Sequence, residues 1–365
     1  MDRIYVKYQF SGEDPKSIAE LIRVEQTIEF PLELAPEWIQ KQVVGKIEEI
    51  NSSDRAQHLI TISFNPDTTG GELTQLLNVL WGNVSLFPDV KIVDIKLPEV
   101  ILKNFNGPRY GISGLRTMFN AETRPLLTTA LKPMGSDPAT LAEMARTLAM
   151  AGFDLIKDDH SLANQPWASW KARVTLLSRV VNEANAVTGG KCAYAPSLNL
   201  PFDQVKDAAY TAKELGAGAL LILPGLTGFD SLRVLAADDN LGLPIQAHPS
   251  MLGSFVTSKQ EGISHGILFG TLMRLAGADI SIFPNAGGRF PFTEEQCLSI
   301  ANRSRDDLGF LNPNWIAPAG GMTLERIPEI IKMYGKDTAL LIGGALSRGN
   351  LSENAARMCE MVHTF

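Results

Sequence analysis

At 365 residues the chain is long enough for about two domains, and its 45% hydrophobic and 20% charged residues suit a protein with a buried core. Thirty-three basic against 40 acidic side chains give a net charge of −7, which argues against a nucleic-acid or membrane-surface partner and leaves any anionic substrate to a local site. Three scattered cysteines, Cys192, Cys297 and Cys359, show no C-x-x-C spacing, which excludes zinc ribbons and dithiol redox motifs and fits a reducing cytoplasm.

The opening residues alternate like a strand, without the apolar stretch of a signal peptide, and no run reaches the length of a bilayer span. The expected location is therefore cytoplasmic. Residues 2–10 read as a strand, 15–24 as a helix, 41–50 and 58–65 as a hairpin, 71–81 as a helix and 90–97 as a strand. That order predicts a small α+β domain with helices on one face of an antiparallel sheet. The pattern then changes. Apolar segments at 126–133, 153–159, 191–199, 219–225, 244–250, 279–285, 314–321 and 339–344 are each followed by a helical stretch, the last at 351–362. Eight such units predict a closed (β/α)₈ TIM barrel, and no strand leads into the G-x-G-x-x-G of a dinucleotide fold. The expected α/β architecture is an α+β domain at 1–110 followed by a barrel at 111–365.

Barrel chemistry sits at the C-terminal ends of the strands, and these ends are dense in reactive side chains. Strand two ends in Lys157-Asp158-Asp159-His160. Side chains alternate along a strand, so Lys157 and Asp159 share the inward face. Such a group would hold a divalent cation if CO₂ carboxylated the lysine; a plain Lys–Asp ion pair closing the rim is the other reading. Lys132 ends strand one and is a candidate general base, or a phosphate-binding or solvated lysine. Gly320-Gly321 and Gly343-Gly344 end strands seven and eight, where backbone N–H groups bind phosphate in such barrels; a tight turn also explains either pair. Arg289 lies on a Gly-rich loop that could close over a ligand, or it is a solvated arginine. His248 ends strand five as a proton shuttle, a ligand anchor or a packed rim histidine.

The order Phe105-Asn106-Gly107-Pro108-Arg109-Tyr110-Gly111-Ile112, Arg124-Pro125-Leu126-Leu127, Leu131-Lys132-Pro133 and Gly152-Phe153-Asp154-Leu155-Ile156-Lys157-Asp158-Asp159 resembles the RuBisCO large chain along nearly the whole sequence. The resemblance implies a ferredoxin-like N-terminal domain before the barrel. It also implies a carboxylated Lys157, Asp159 as a Mg²⁺ ligand with His160 at the third metal position, and Lys132 as the proton-transfer lysine. His248 becomes the strand-five histidine, and the two glycine pairs become the phosphate holders. Glu25 and Asn83 would reach into a partner subunit's barrel, which makes the assembly a homodimer or a higher homo-oligomer.

Several positions depart from the family pattern. Met134 stands where a carboxylase has a second lysine, His160 where it has a glutamate, and Arg289 where it has the CO₂-orienting lysine. Pro249, Ile282 and Ala319 replace an arginine, a histidine and a serine. The chain therefore resembles a RuBisCO-like protein, one that carries no carboxylation of a bisphosphate. The imidazole of His160 puts magnesium in question, since that ion prefers oxygen ligands.

The implied chemistry is an enolate on a small phosphorylated sugar acid. The run after Glu25 and the Lys157–His160 motif are similar to the branch acting on 3-oxo-isoapionate 4-phosphate in apiose catabolism, which points to its transcarboxylase/hydrolase, a C–C bond-cleaving enzyme. Its decarboxylase, the enolisation or isomerisation of 5-methylthioribulose 1-phosphate in methionine salvage, and a non-catalytic sugar-phosphate-binding barrel are the alternatives.

Overall fold

The computed structural model describes residues 2–52 and 57–365. The chain divides into two compact units, one of residues 1–105 with 251–268 and 308–310, the other of 106–250, 269–307 and 311–365. Among the described residues no helix is long and apolar enough to cross a membrane.

The first unit is a sheet of β1 (Ile4–Ser11), β2 (Lys46–Ser52), β3 (Gln57–Phe64) and β4 (Val90–Lys96) with helices Pro15–Glu25 and Leu73–Trp81. The order β4-β1-β3-β2 is antiparallel throughout and is the ferredoxin-like arrangement. Alternation sets the faces: Ile4, Val6 and Tyr8 of β1 are fully buried while the residues between them are half-exposed. Asp14 caps the first helix by accepting from Ser17 N at 3.0 Å.

Two features differ from the sequence expectation. Residues 41 and 42 finish a short helix, Glu37–Gln42, and the strand expected from residue 41 begins at Lys46. Pro36 fixes the helix start, and Lys41 pairs with Glu37 one turn earlier. The sheet also gains a fifth strand, β10 (Gly262–Ile263), lying parallel to β4.

The second unit is the barrel. Its strands are β5 (Leu126–Leu131), β6 (Leu155–Asp158), β7 (Ala193–Ala195), β8 (Leu220–Ile222), β9 (Ile245–Ala247), β11 (Ile280–Pro284), β12 (Trp315–Ala319) and β13 (Ala339–Leu341). They pair as two parallel four-stranded halves, β13-β5-β6-β7 and β12-β11-β9-β8. Single bridges, Ser197 with Leu221 and Ile316 with Thr338, close the circle. Inward side chains such as Leu155, Leu221, Ile280 and Trp315 form its core, and Leu115 and Phe119 of helix Gly111–Phe119 pack onto the same cluster. Asp279 anchors that helix: buried in full, it accepts from the N–H groups of Tyr110 (2.7 Å), Gly111 (3.0 Å) and Ile245 (3.0 Å). Burial pushes its carboxyl up to about 6, against those three donors.

Candidate active site

The strand-two motif splits by alternation. Asp158 turns outward into the wall, where it accepts from Tyr194 Oη (2.7 Å) and Ser197 N (3.0 Å) and pairs with the fully buried Arg173 (3.2 Å). Arg173 also donates to the carbonyls of Ala163 and Ala168. The wall of the site is thus pinned to helix Trp170–Thr188 and to the loop before it. Lys157 and Asp159 take the other side.

Asp159 is the hub. Its Oδ1 accepts from Lys132 Nζ at 2.5 Å and lies 3.3 Å from His160 Nδ1, while Oδ2 accepts from Ser161 Oγ at 2.7 Å. Burial alone would raise this carboxyl. The hydrogen bonds from His160, Lys132 and Ser161 outweigh it and hold Asp159 far below the usual carboxylate range. Lys157 is 1% exposed and donates to Asp158 O at 3.0 Å. Burial, helped by the neighbouring Lys132 charge and opposed by Asp159, lowers its amine to about 8.

His248 joins this group by stacking on His160, with ring centroids 4.5 Å apart and planes 9° from parallel. The backbone N–H of Ser250 lies 3.2 Å from His248 Nδ1. A backbone amide only donates, so Nδ1 accepts and the neutral ring carries its proton on Nε2. Burial, then the charges of Lys157 and His160, hold the imidazole well below its ordinary value. His248 therefore presents an uncharged N–H donor.

The glycine pairs border the same rim. A Cβ on Gly343 would lie 3.4 Å from Lys132 Cε, so the lysine stem runs directly past it. Gly320 and Gly321 lie under the loop after β11: a Cβ on Gly288 would meet the Gly320 carbonyl at 1.9 Å, so only glycine permits the contact. None of the N–H groups of Gly320, Gly321, Gly343 and Gly344 has an acceptor among the described residues.

Arg289, on that loop, is exposed, with its guanidinium over the Phe290 ring at 5.3 Å. It is not drawn into the lysine–carboxylate cluster. Neighbouring Asn285 is fully buried and bound to Tyr334 Oη (2.5 Å), a structural position. In the first unit, Asn83 Nδ2 donates to Glu25 Oε2 at 3.3 Å, and Gln26 braces the turn through Val84 N (2.8 Å) and the carbonyls of Asn78 and Val79. A cavity of about 400 Å³ at the opposite, strand-start end of the barrel is lined by Arg124, Asp154, Lys191 and Cys192 among others. Arg124 is already bound to Asp154 there by two bonds of 2.6 and 2.7 Å.

The sequence named Lys132, Lys157, Asp159, His160 and His248, and the fold places them together. It gave no sign of Ser250, Ser161 or the Arg173–Asp158–Tyr194 support, because such partners depend on loop geometry.

As the side chains stand, the donors do not fit magnesium. Among the described residues Asp159 is the one carboxylate in the lysine–histidine cluster, Asp158 being engaged by Arg173 and Tyr194; the Asp159 oxygens already accept from Lys132 and Ser161, and Lys157 is an amine. Among the described residues no three His, Cys, Asp or Glu side chains are grouped to hold an ion.

Residues 111–288 match the family model for the ribulose bisphosphate carboxylase large chain, catalytic domain. The chain is 38% identical to ribulose bisphosphate carboxylase-like protein 1 of Rhodopseudomonas palustris, over 98% of this chain and 96% of that protein. It is also 38% identical to 5-methylthioribulose-1-phosphate isomerase of Rhodospirillum rubrum, over 93% of this chain and 90% of that protein. The crystal structure of a Rubisco-like protein from Rhodopseudomonas palustris superposes with a TM-score of 0.90 at 36% identity, covering 100% of this chain and 99% of that one. With the ferredoxin-like unit, the closed barrel and this rim all in place, the chain belongs to the RuBisCO large-chain family as a RuBisCO-like protein.

Proposed function

We propose that this protein moves a proton at the carbon beside the carbonyl of a phosphorylated ketose-like substrate, through an enolate. The observation that carries this reading is the Lys132–Asp159 pair set beside a buried amine, Lys157, which is lowered to about 8. A lysine tuned into that range serves as a base near neutral pH.

The four glycine N–H groups hold the phosphate and fix the carbon chain over the lysines. Lys157 takes the α-proton, whose C–H bonding pair becomes the enolate. The developing oxyanion is met by His248 Nε2–H and the Lys132 ammonium, preorganised donors in a water-poor site. Lys132 then returns a proton to the neighbouring carbon or oxygen, and Asp159 keeps its ammonium aimed. Magnesium would need CO₂ to add to the Lys157 amine and turn it into an oxygen ligand. Glu25 and Asn83 are proposed to complete the site of a second copy of the chain.

Among named reactions we favour isomerisation or enolisation of 5-methylthioribulose 1-phosphate, supported by the 38% identity to an isomerase of that compound. Cleavage of 3-oxo-isoapionate 4-phosphate shares the enolate and is the second reading, favoured by His160 standing at the metal-ligand position. Incubation with both compounds in D₂O, followed by NMR, separates them. Deuterium uptake or isomerisation with the carbon skeleton intact supports the first, and release of CO₂ or a carboxylate fragment supports the second. No turnover and no exchange with any phosphorylated keto sugar would contradict enolate chemistry.

A further inference from the structure

Below Lys157, the described side chains of the barrel interior are apolar except in one layer. Gln246 on β9 pairs in register with Leu221 and Ile280, both members of the inward-facing core, so it too faces the axis. It is 1% exposed, and neither its Nε2 nor its Oε1 has a hydrogen-bond partner among the described residues. Thr128 on β5 is fully buried, and its Oγ1 also has none. Taken round the barrel with the stagger of a closed eight-stranded sheet, the pairings put Thr128, Ala195, Gln246 and Ala317 in one layer, contributed by alternate strands. The layer above is Lys157, Leu221, Ile282 and Leu341. The layer below is Leu155, Ala219, Ile280 and Ala339.

Leaving a primary amide and a hydroxyl dry inside a core forfeits the hydrogen bonds that each makes in the unfolded chain, a cost that nothing apolar around them repays. The two alanines that complete the layer are the smallest side chains that could stand there, so the polar groups are not crowded by bulk. The groups are uncharged and supply both donors and acceptors, which suits water and no ion. In the layer above, the Lys157 amine donates to Asp158 O at 3.0 Å and, as a group with up to three donors, keeps capacity for a further partner.

We propose that the Gln246 amide and the Thr128 hydroxyl form an enclosed water site under the Lys157 amine, and that Gln246 is a positioning residue acting on Lys157 through that water. The site lies one layer below Lys157 and apart from the four glycines proposed to hold the phosphate. Its link to turnover rests on the reaction proposed above, but its existence does not.

The test is a crystal structure of the full chain at a resolution that resolves single waters, together with Gln246→Met, which keeps the volume and removes the amide, and Thr128→Val as a second variant. A density peak within hydrogen-bonding distance of both Gln246 and Thr128, absent in Gln246→Met, is the expected result. A dry interior, or Gln246 bonded directly to Thr128 Oγ1, overturns the site whatever the reaction proves to be. For the link, kcat is expected to fall roughly tenfold in Gln246→Met at unchanged KM and melting temperature. A wild-type kcat in that variant, with the water gone, overturns the positioning role.

Discussion

Burying an amine disfavours its charged form, and at Lys157 the nearby Asp159 only partly offsets this, leaving the group at about 8 instead of the 10.5 of a free lysine. The neutral, proton-accepting fraction therefore grows as pH rises through 8. Solvent exchange of the substrate α-proton should climb with pH, half-maximal near 8, to a plateau above about 9, a limb that Lys157→Met should abolish along with at least a hundredfold of the rate. A flat profile in the wild type would remove Lys157 as the base. Because the donors as they stand suit no magnesium ion, exchange should persist in EDTA and gain nothing from added Mg²⁺ without bicarbonate; loss of activity on chelation would show that the lysine is used as a carbamate. These side chains were legible in the sequence because strand alternation alone sorts Lys157 and Asp159 from Asp158. The tautomer of His248 was not, since it depends on a turn that brings Ser250 N back onto the ring.

At the scale of elements, the wall behind the site is a buried ion pair. Removing one partner strands the other, so Arg173→Leu should cost about 3–5 kcal/mol in urea unfolding, and the Lys157–Asp159 strand end should loosen with it. Replacing both Arg173 and Asp158 with apolar residues should cost markedly less than the single change; equal losses would show that the pair is not coupled. The eight β/α units were readable because the strands are apolar on both faces, as parallel strands covered by helices must be. Some elements were not, two of them in the first unit. The helix Glu37–Gln42 precedes its strand without a break in polarity, and β10 is a two-residue strand, Gly262–Ile263, too short to leave a pattern.

At the scale of the molecule, large apolar side chains stand exposed just after the C-terminal ends of barrel strands, Met134, Trp167 and Phe290 on loops and Phe202 at the start of helix Phe202–Glu214. A surface of that kind is expected to be covered by another chain. The proposal that Glu25 and Asn83 serve a second copy predicts that two inactive variants complement one another. Glu25→Gln mixed and re-annealed with Lys132→Met should recover about a quarter of wild-type activity, because half of the randomly paired dimers carry one intact site out of two. No recovery would mean that each chain serves itself. The central claim, that an enolate forms over Lys157 and Lys132, is tested most directly by deuterium wash-in from D₂O into 5-methylthioribulose 1-phosphate, measured by proton NMR for the wild type, Lys157→Met and Lys132→Met side by side. Loss of the α-proton signal is expected with the wild type alone; equal wash-in with all three proteins, or none with the wild type while product still forms, would rule the enolate out.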